Sequence, residues 1–179
     1  MFSLVACNNY VPKPSAYPRV EYPIKTYEQI DADCPFSFEI PKYSELQPYT
    51  YAVKPCWYNL NYTPFNATLH TSYVSFNNLN ELDSLAEDSY KLAFKHISKA
   101  DEIIEREISD STKGLYGMIY DLQGKTATPF NFYLTDGKNH FFRGSFYFNE
   151  KTKLDSIQPI YEFINADMMH TIETFEFKQ

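Results

Sequence analysis

The chain has 179 residues, a length that suits one domain with a short extension. Rings make up 18% of it, with 16 Tyr and 15 Phe, so a sizeable core can be built largely from aromatic side chains. A net charge of −7 without clustered Lys or Arg excludes a nucleic-acid binder and electrostatic docking on anionic lipid, and no apolar run reaches the ~18 residues that span a bilayer.

The N-terminus carries the first signal. Leu4-Val5-Ala6-Cys7 has the form of a bacterial lipobox, in which small residues precede a cysteine whose thiol and freed amine are acylated. Several acyl chains, at roughly 0.8 kcal/mol per buried CH2, make such an anchor long-lived. Residues 1–7 are therefore read as the remnant of a lipoprotein signal, with lipidation at Cys7. Only six residues precede Cys7 and none is basic, short of a full signal peptide. Either the start lies upstream, or Cys7 is an ordinary N-terminal cysteine. Residues 8–23 contain Pro12, Pro14, Pro18 and Pro23, which forbid helix and favour an extended, semi-rigid spacer of at most ~50 Å. No acid follows Cys7 directly, and the anchor is expected on the outer membrane, facing the periplasm.

Residues 24–179 are expected to form a single globular domain. Phe36-Ser37-Phe38-Glu39-Ile40 alternates as a half-buried strand that stops at Pro41. Residues 42–55 read as a loop. Strands follow over Trp57–Tyr62 and Ala67–Phe76. Asn77-Asn78-Leu79-Asn80 is a turn and cap signal. After it, Leu82, Ala86, Tyr90, Ala93 and Ile97 recur at helical spacing, widened by Leu85 and Phe94. Further strands are expected over Ile103–Ile108, Leu115–Leu122, Phe130–Thr135 and His140–Phe148, with turns at Gln123-Gly124 and Asp136-Gly137. Gly117 and Gly144 would let a helix approach the sheet closely. Ile157, Ile160, Tyr161, Ile164, Met168 and Ile172 then mark a second helix over Ser156–Phe175, capped by Asp155 or Ser156. This order gives an α+β fold, a mostly antiparallel sheet with two packing helices, which resembles the Mog1/PsbP-like topology.

With Cys7 lipidated, Cys34 and Cys56 remain as a pair. A structural bridge is preferred over two free buried thiols, and a redox role lacks the CxxC spacing. His70, His96, His140 and His170 are isolated, without metal-ligand spacing. There is no P-loop and no GxSxG elbow. Glu102, Glu105 and Glu107 read as a solvated face. No catalytic residue, metal ligand or cofactor site is expected. Asp83-Ser84-Leu85 and Asp155-Ser156-Ile157 have the form of O-glycosylation sites, with helix capping the better reading. Tyr116, Tyr120, Tyr133, Arg143 and Tyr147 share the parity of one sheet face. Tyr and Arg dominate interface hot spots, so a bare face would dock a partner. The preferred expectation is that the second helix covers it.

Many short motifs together resemble one family. They are Pro12-Lys13-Pro14, Tyr17-Pro18-Arg19, Cys34-Pro35-Phe36-Ser37-Phe38-Glu39 and Pro55-Cys56-Trp57. Asn66-Ala67-Thr68-Leu69-His70, Glu87-Asp88-Ser89 and Ala93-Phe94-Lys95-His96 follow. Tyr116-Gly117-Met118-Ile119-Tyr120-Asp121, Phe132-Tyr133-Leu134-Thr135-Asp136, His140-Phe141-Phe142-Arg143-Gly144 and His170-Thr171-Ile172-Glu173-Thr174-Phe175-Glu176 complete the set. On these the chain resembles the gliding motility lipoprotein GldD family of Bacteroidetes. The resemblance implies an envelope lipoprotein required for gliding and the linked type IX secretion machinery, with other gliding and secretion proteins as partners and no catalytic residues. A scaffold or assembly factor is the expected role. A periplasmic ligand- or peptide-binding module is the alternative, and an enzyme ranks third.

Overall fold

Two antiparallel sheets and one helix enclose a core built mostly of rings. The computed structural model describes residues 20–30, 33–51, 55–95, 100–124, 126, 128–149 and 154–178. The smaller sheet pairs β1 (Tyr27–Ile30) and β10 (Glu176–Phe177) on either side of β2 (Phe36–Pro41). The larger sheet contains β3 (Glu45–Pro48), β4 (Tyr58–Tyr62), β5 (Ala67–Ser75), β6 (Ala100–Asp110), β7 (Leu115–Gly124), β8 (Phe130–Thr135) and β9 (His140–Phe148). Its spatial order is β3-β4-β5-β9-β8-β7-β6. Helix α1 (Leu79–Phe94) leaves β5, and α2 (Leu154–Thr174) leaves β9.

Alternation decides which side chains go inside. On β8, Phe130, Phe132 and Leu134 lie opposite Phe146, Gly144 and Phe142 of β9, so one row of rings covers the inner face. Phe36 and Phe38 of β2 meet Phe142 and Phe175 across the core. Helix α2 closes it with Tyr161, Ile164, Met168 and Ile172, all buried. Adjacent residues on β7 separate the two faces. Ile119 belongs to this core, while Tyr120 packs with Ala93 of α1 on the outer face.

Cys34, just before β2, and Cys56, just before β4, are joined by a disulfide with Cα atoms 5.8 Å apart. The bridge ties the small sheet to the large one. At the hairpin between β8 and β9, Gly137 takes φ +69°. There the Asp136 carboxylate accepts backbone N–H bonds from Lys138, Asn139 and His140, which holds its pKa below the usual carboxylate value despite partial burial.

Several expectations are corrected. The segment read as a loop over 42–55 contains β3, and neither β1 nor β10 was anticipated. Helix α1 is capped by Asn78, whose side chain accepts from Glu81 N at 3.1 Å. Asp83 and Ser84 therefore lie inside the helix and cap nothing, and Ser84 Oγ donates to Asn80 O. Helix α2 begins at Leu154, before Asp155 and Ser156. The two glycines make room for neighbouring strands, not for a helix. A Cβ on Gly144 would fall 2.3 Å from the Phe132 ring, which lies across the gap. A Cβ on Gly117 would fall 2.0 Å from the Tyr133 carbonyl oxygen. Cys7 and most of the expected spacer lie outside the described residues. Of the spacer's last residues, Val20 packs against the core and the Tyr22 ring lies tilted against Phe163, with centroids 4.8 Å apart. Among the described residues no helix is long and apolar enough to cross a membrane.

Candidate functional site

The outer face of the large sheet is covered only in part. Helix α1 meets it with Ser89 and Ala93 buried and with the Tyr90 and Phe94 rings against Tyr120, over β7, β8 and β9. This corrects the expectation that the second helix covers the Tyr/Arg face, because α2 packs on the opposite side. Both helices carry apolar stripes, but the stripe of α2 is longer and takes the large core, leaving α1 the shallower outer position.

The five residues expected to form a partner face do share that face: Met118 of β7, Tyr133, Arg143 and Ser72 lie in register across four strands. Helix α1 divides them. Tyr120 is buried beneath it, with the rings of Tyr90 and Phe94 edge-on at 6.1 Å, and its hydroxyl pKa is pushed up to about 12 by that burial, then by Tyr133 and nearby acids. Tyr133 is half-buried and stacks on Phe141 at 5.2 Å. Tyr116 is exposed on one side of the helix. Arg143 and Tyr147 lie on the other side, in a groove of about 440 Å³.

The groove is the best-formed concave site among the described residues. Its floor is the outer face of β5, β9 and β8, with His70, Ser72, Asn131 and Ser145. Tyr49 and Trp57 form one wall, with their rings 6.5 Å apart and nearly parallel. Leu92 and Lys95, at the end of α1, form the other. Arg143 Nε donates to Ser72 Oγ at 3.0 Å. His70 Nδ1 meets Asn59 Oδ1 at 2.8 Å, and burial lowers its pKa. Asn131 Nδ2 donates to Thr128 O. Among the described residues no carboxylate lines the groove.

A second cluster escaped sequence reasoning. Asp167 of α2 is fully buried and accepts from Lys25 Nζ at 2.9 Å, Tyr27 OH at 2.7 Å and Tyr43 OH. Lys25 also caps Phe163 O and sits 4.2 Å over the Phe163 ring. Burial first, then the Asp167 carboxylate, raises the pKa of Tyr27 and Tyr43 far above the usual tyrosine value. One helical turn on, His170 bonds Glu39 at 2.6 Å and stacks on Tyr27. The carboxylate is closed off and its oxygens are already engaged, so this cluster is an anchor and not a reactive centre. The signal was present: Asp167 stands three residues after Ile164 and four before Thr171, on the apolar stripe of its helix. Of the remaining histidines, His140 bonds Tyr73 OH, and His96 lies outside the described residues. Among the described residues no group of His, Cys, Asp and Glu could hold a metal ion.

A family model described as gliding motility lipoprotein GldD matches residues 7–177, nearly the whole chain. The chain belongs to the GldD family. It is thereby a lipoprotein of the cell envelope involved in gliding motility, and the GldD description names no reaction. The solution structure of cyanobacterial PsbP (CyanoP) from Synechocystis sp. PCC 6803 is similar in fold, with a TM-score of 0.51 at 9% identity. The match covers 87% of this chain and 94% of that one, and it places the GldD chain in a PsbP-like α+β fold. No curated protein matches the chain.

Proposed function

We propose that this GldD-family chain is a non-catalytic scaffold or assembly factor of the gliding apparatus and the associated type IX secretion machinery. It holds another envelope protein in the outer-face groove. A lipid on Cys7 and the part of the Pro-rich spacer that precedes Val20 tether the domain to the outer membrane, facing the periplasm. The observation that carries this reading is the groove itself, a concavity on the sheet's outer face beside α1 lined by Arg143, Tyr49, Trp57 and Tyr147, residues of the kind that anchor protein interfaces. The family match begins at Cys7, which supports lipidation there.

The test is deletion of the gene, followed by rescue with the intact gene, with Cys7→Ser and with Arg143→Gln. Single-cell gliding and release of a type IX cargo are measured. The reading expects both to be lost and to return only with the intact gene. Normal gliding and secretion in the deletion strain would reject it. A second reading, a periplasmic ligand- or peptide-binding module, draws on the groove's volume, which lies in the range of small-ligand sites.

A further inference from the structure

The chain carries 23 acidic and 16 basic residues, yet the groove reverses that balance. Arg143 and Lys95 line it, His70 joins them, and among the described residues no Asp or Glu does. Arg143 is half-buried, and burial lowers its pKa, although a guanidinium stays charged at any ordinary pH. Among the described residues its one hydrogen bond is from Nε to Ser72, which fixes the plane of the fork. Among the described residues no carboxylate stands within ion-pair distance of it; Asp88 of α1 attracts it only from further away. A partly desolvated cation without a counterion is costly, and a carboxylate meeting the fork side-on relieves that cost with two parallel hydrogen bonds.

The surroundings narrow the source of that carboxylate. Two cations are too few for a nucleic-acid backbone, and a chain of net charge −7 is repelled by an anionic bilayer. The groove is concave and aromatic-walled, and its Asn131, Ser145 and Tyr147 side chains offer hydrogen bonds of the kind a peptide backbone takes. We infer that the groove receives an acidic segment of a partner protein, whose carboxylate pairs with Arg143 while Lys95 flanks it. This rests on reading the groove as the docking site proposed above.

The probe is a pair of display libraries of random seven-residue segments, one embedded between flanking sequences and one ending in a free C-terminus. Each is panned on the wild-type domain and on Arg143→Gln. Selected peptides rich in Asp or Glu from the embedded library assign a side-chain carboxylate, and enrichment only in the second library assigns a terminal one. Either result supports the inference if Arg143→Gln weakens the selected peptides at least about 30-fold. Lys95→Glu, an exposed change that leaves the core untouched, should weaken them too and guards against a misfolded Arg143 variant. Selection without acidic enrichment, no selection at all, or acidic binding unchanged in both variants would overturn it. The cellular test reads independently: normal gliding after deletion removes the gliding role and leaves the groove's preference standing, while acid-free selection does the reverse.

Discussion

Asp167→Ala should be among the most damaging single changes in the domain. The carboxylate is fully buried and receives three donors, from Lys25, Tyr27 and Tyr43. Hydrogen bonds to a charged group are worth about 1.5–3 kcal/mol each, and truncating one partner of a buried pair costs about 3–5 kcal/mol. The donors share one acceptor and Lys25 keeps some access to water, so the losses do not add. A cost of about 4 kcal/mol follows, out of the roughly 5–15 kcal/mol that holds a domain folded. For a chain of this size that is a fall in melting temperature of about 8–16 °C. Urea unfolding followed by the fluorescence of the single Trp57 and by far-UV circular dichroism measures it. Glu162→Ala, an exposed change on the same helix, should stay within about 0.5 kcal/mol. Combining Asp167→Ala with Lys25→Ala should cost at least about 1 kcal/mol less than the sum of the two. A cost below about 1 kcal/mol for Asp167→Ala, or strict additivity with Lys25→Ala, would refute the anchor.

Three further outcomes are expected. Reduction of the Cys34–Cys56 bridge, or Cys34→Ser with Cys56→Ser, should lower stability by about 3 kcal/mol, from the 22-residue separation it closes; the urea midpoint with and without reductant reads this. Stability should be flat from about pH 8 to 10 and fall above that. The Tyr62 and Tyr161 hydroxyls are raised by burial above all, then by Asp167 and by Asp121 respectively. Above pH 10 the unfolded chain releases those protons and the folded one keeps them, so each hydroxyl costs about 1.4 kcal/mol per pH unit. Urea midpoints between pH 9 and 11.5, alongside the tyrosinate absorbance of the folded protein, test the sign. Gly144→Ala should cost about 1–3 kcal/mol by displacing the Phe132 ring, and Gly117→Ala should cost more, because its obstacle is backbone.

The strands from Leu115 to Phe148 were legible because rings recurring at every second position within six to ten residues favour one pairing register that buries them. Strands β1 and β10 were not, since four and two residues carry too little pattern and form only against β2. The face of Arg143 and Tyr147 could be read from parity alone. The groove around them could not, because Tyr49, Trp57 and Lys95 arrive from segments far along the chain. Which helix lay over that face was also hidden: periodicity shows that a helix has an apolar side, not which side of the sheet it will take. Asp167 could have been noticed as an acid on an apolar stripe. Its partners Tyr27 and Tyr43 could not, being 140 and 124 residues away in sequence.

The stretch from Val20 to Tyr27 is fastened by the same side chains that secure α2: Tyr22 against Phe163, Lys25 and Tyr27 on Asp167. A tug along the polypeptide from its N-terminal side is therefore received by the Tyr22 ring, the Lys25–Asp167 ion pair and the Tyr27 hydroxyl bond, not by a loose hinge. The domain has no slack there to take up strain. Any load strong enough to peel this stretch away also uncovers a buried carboxylate.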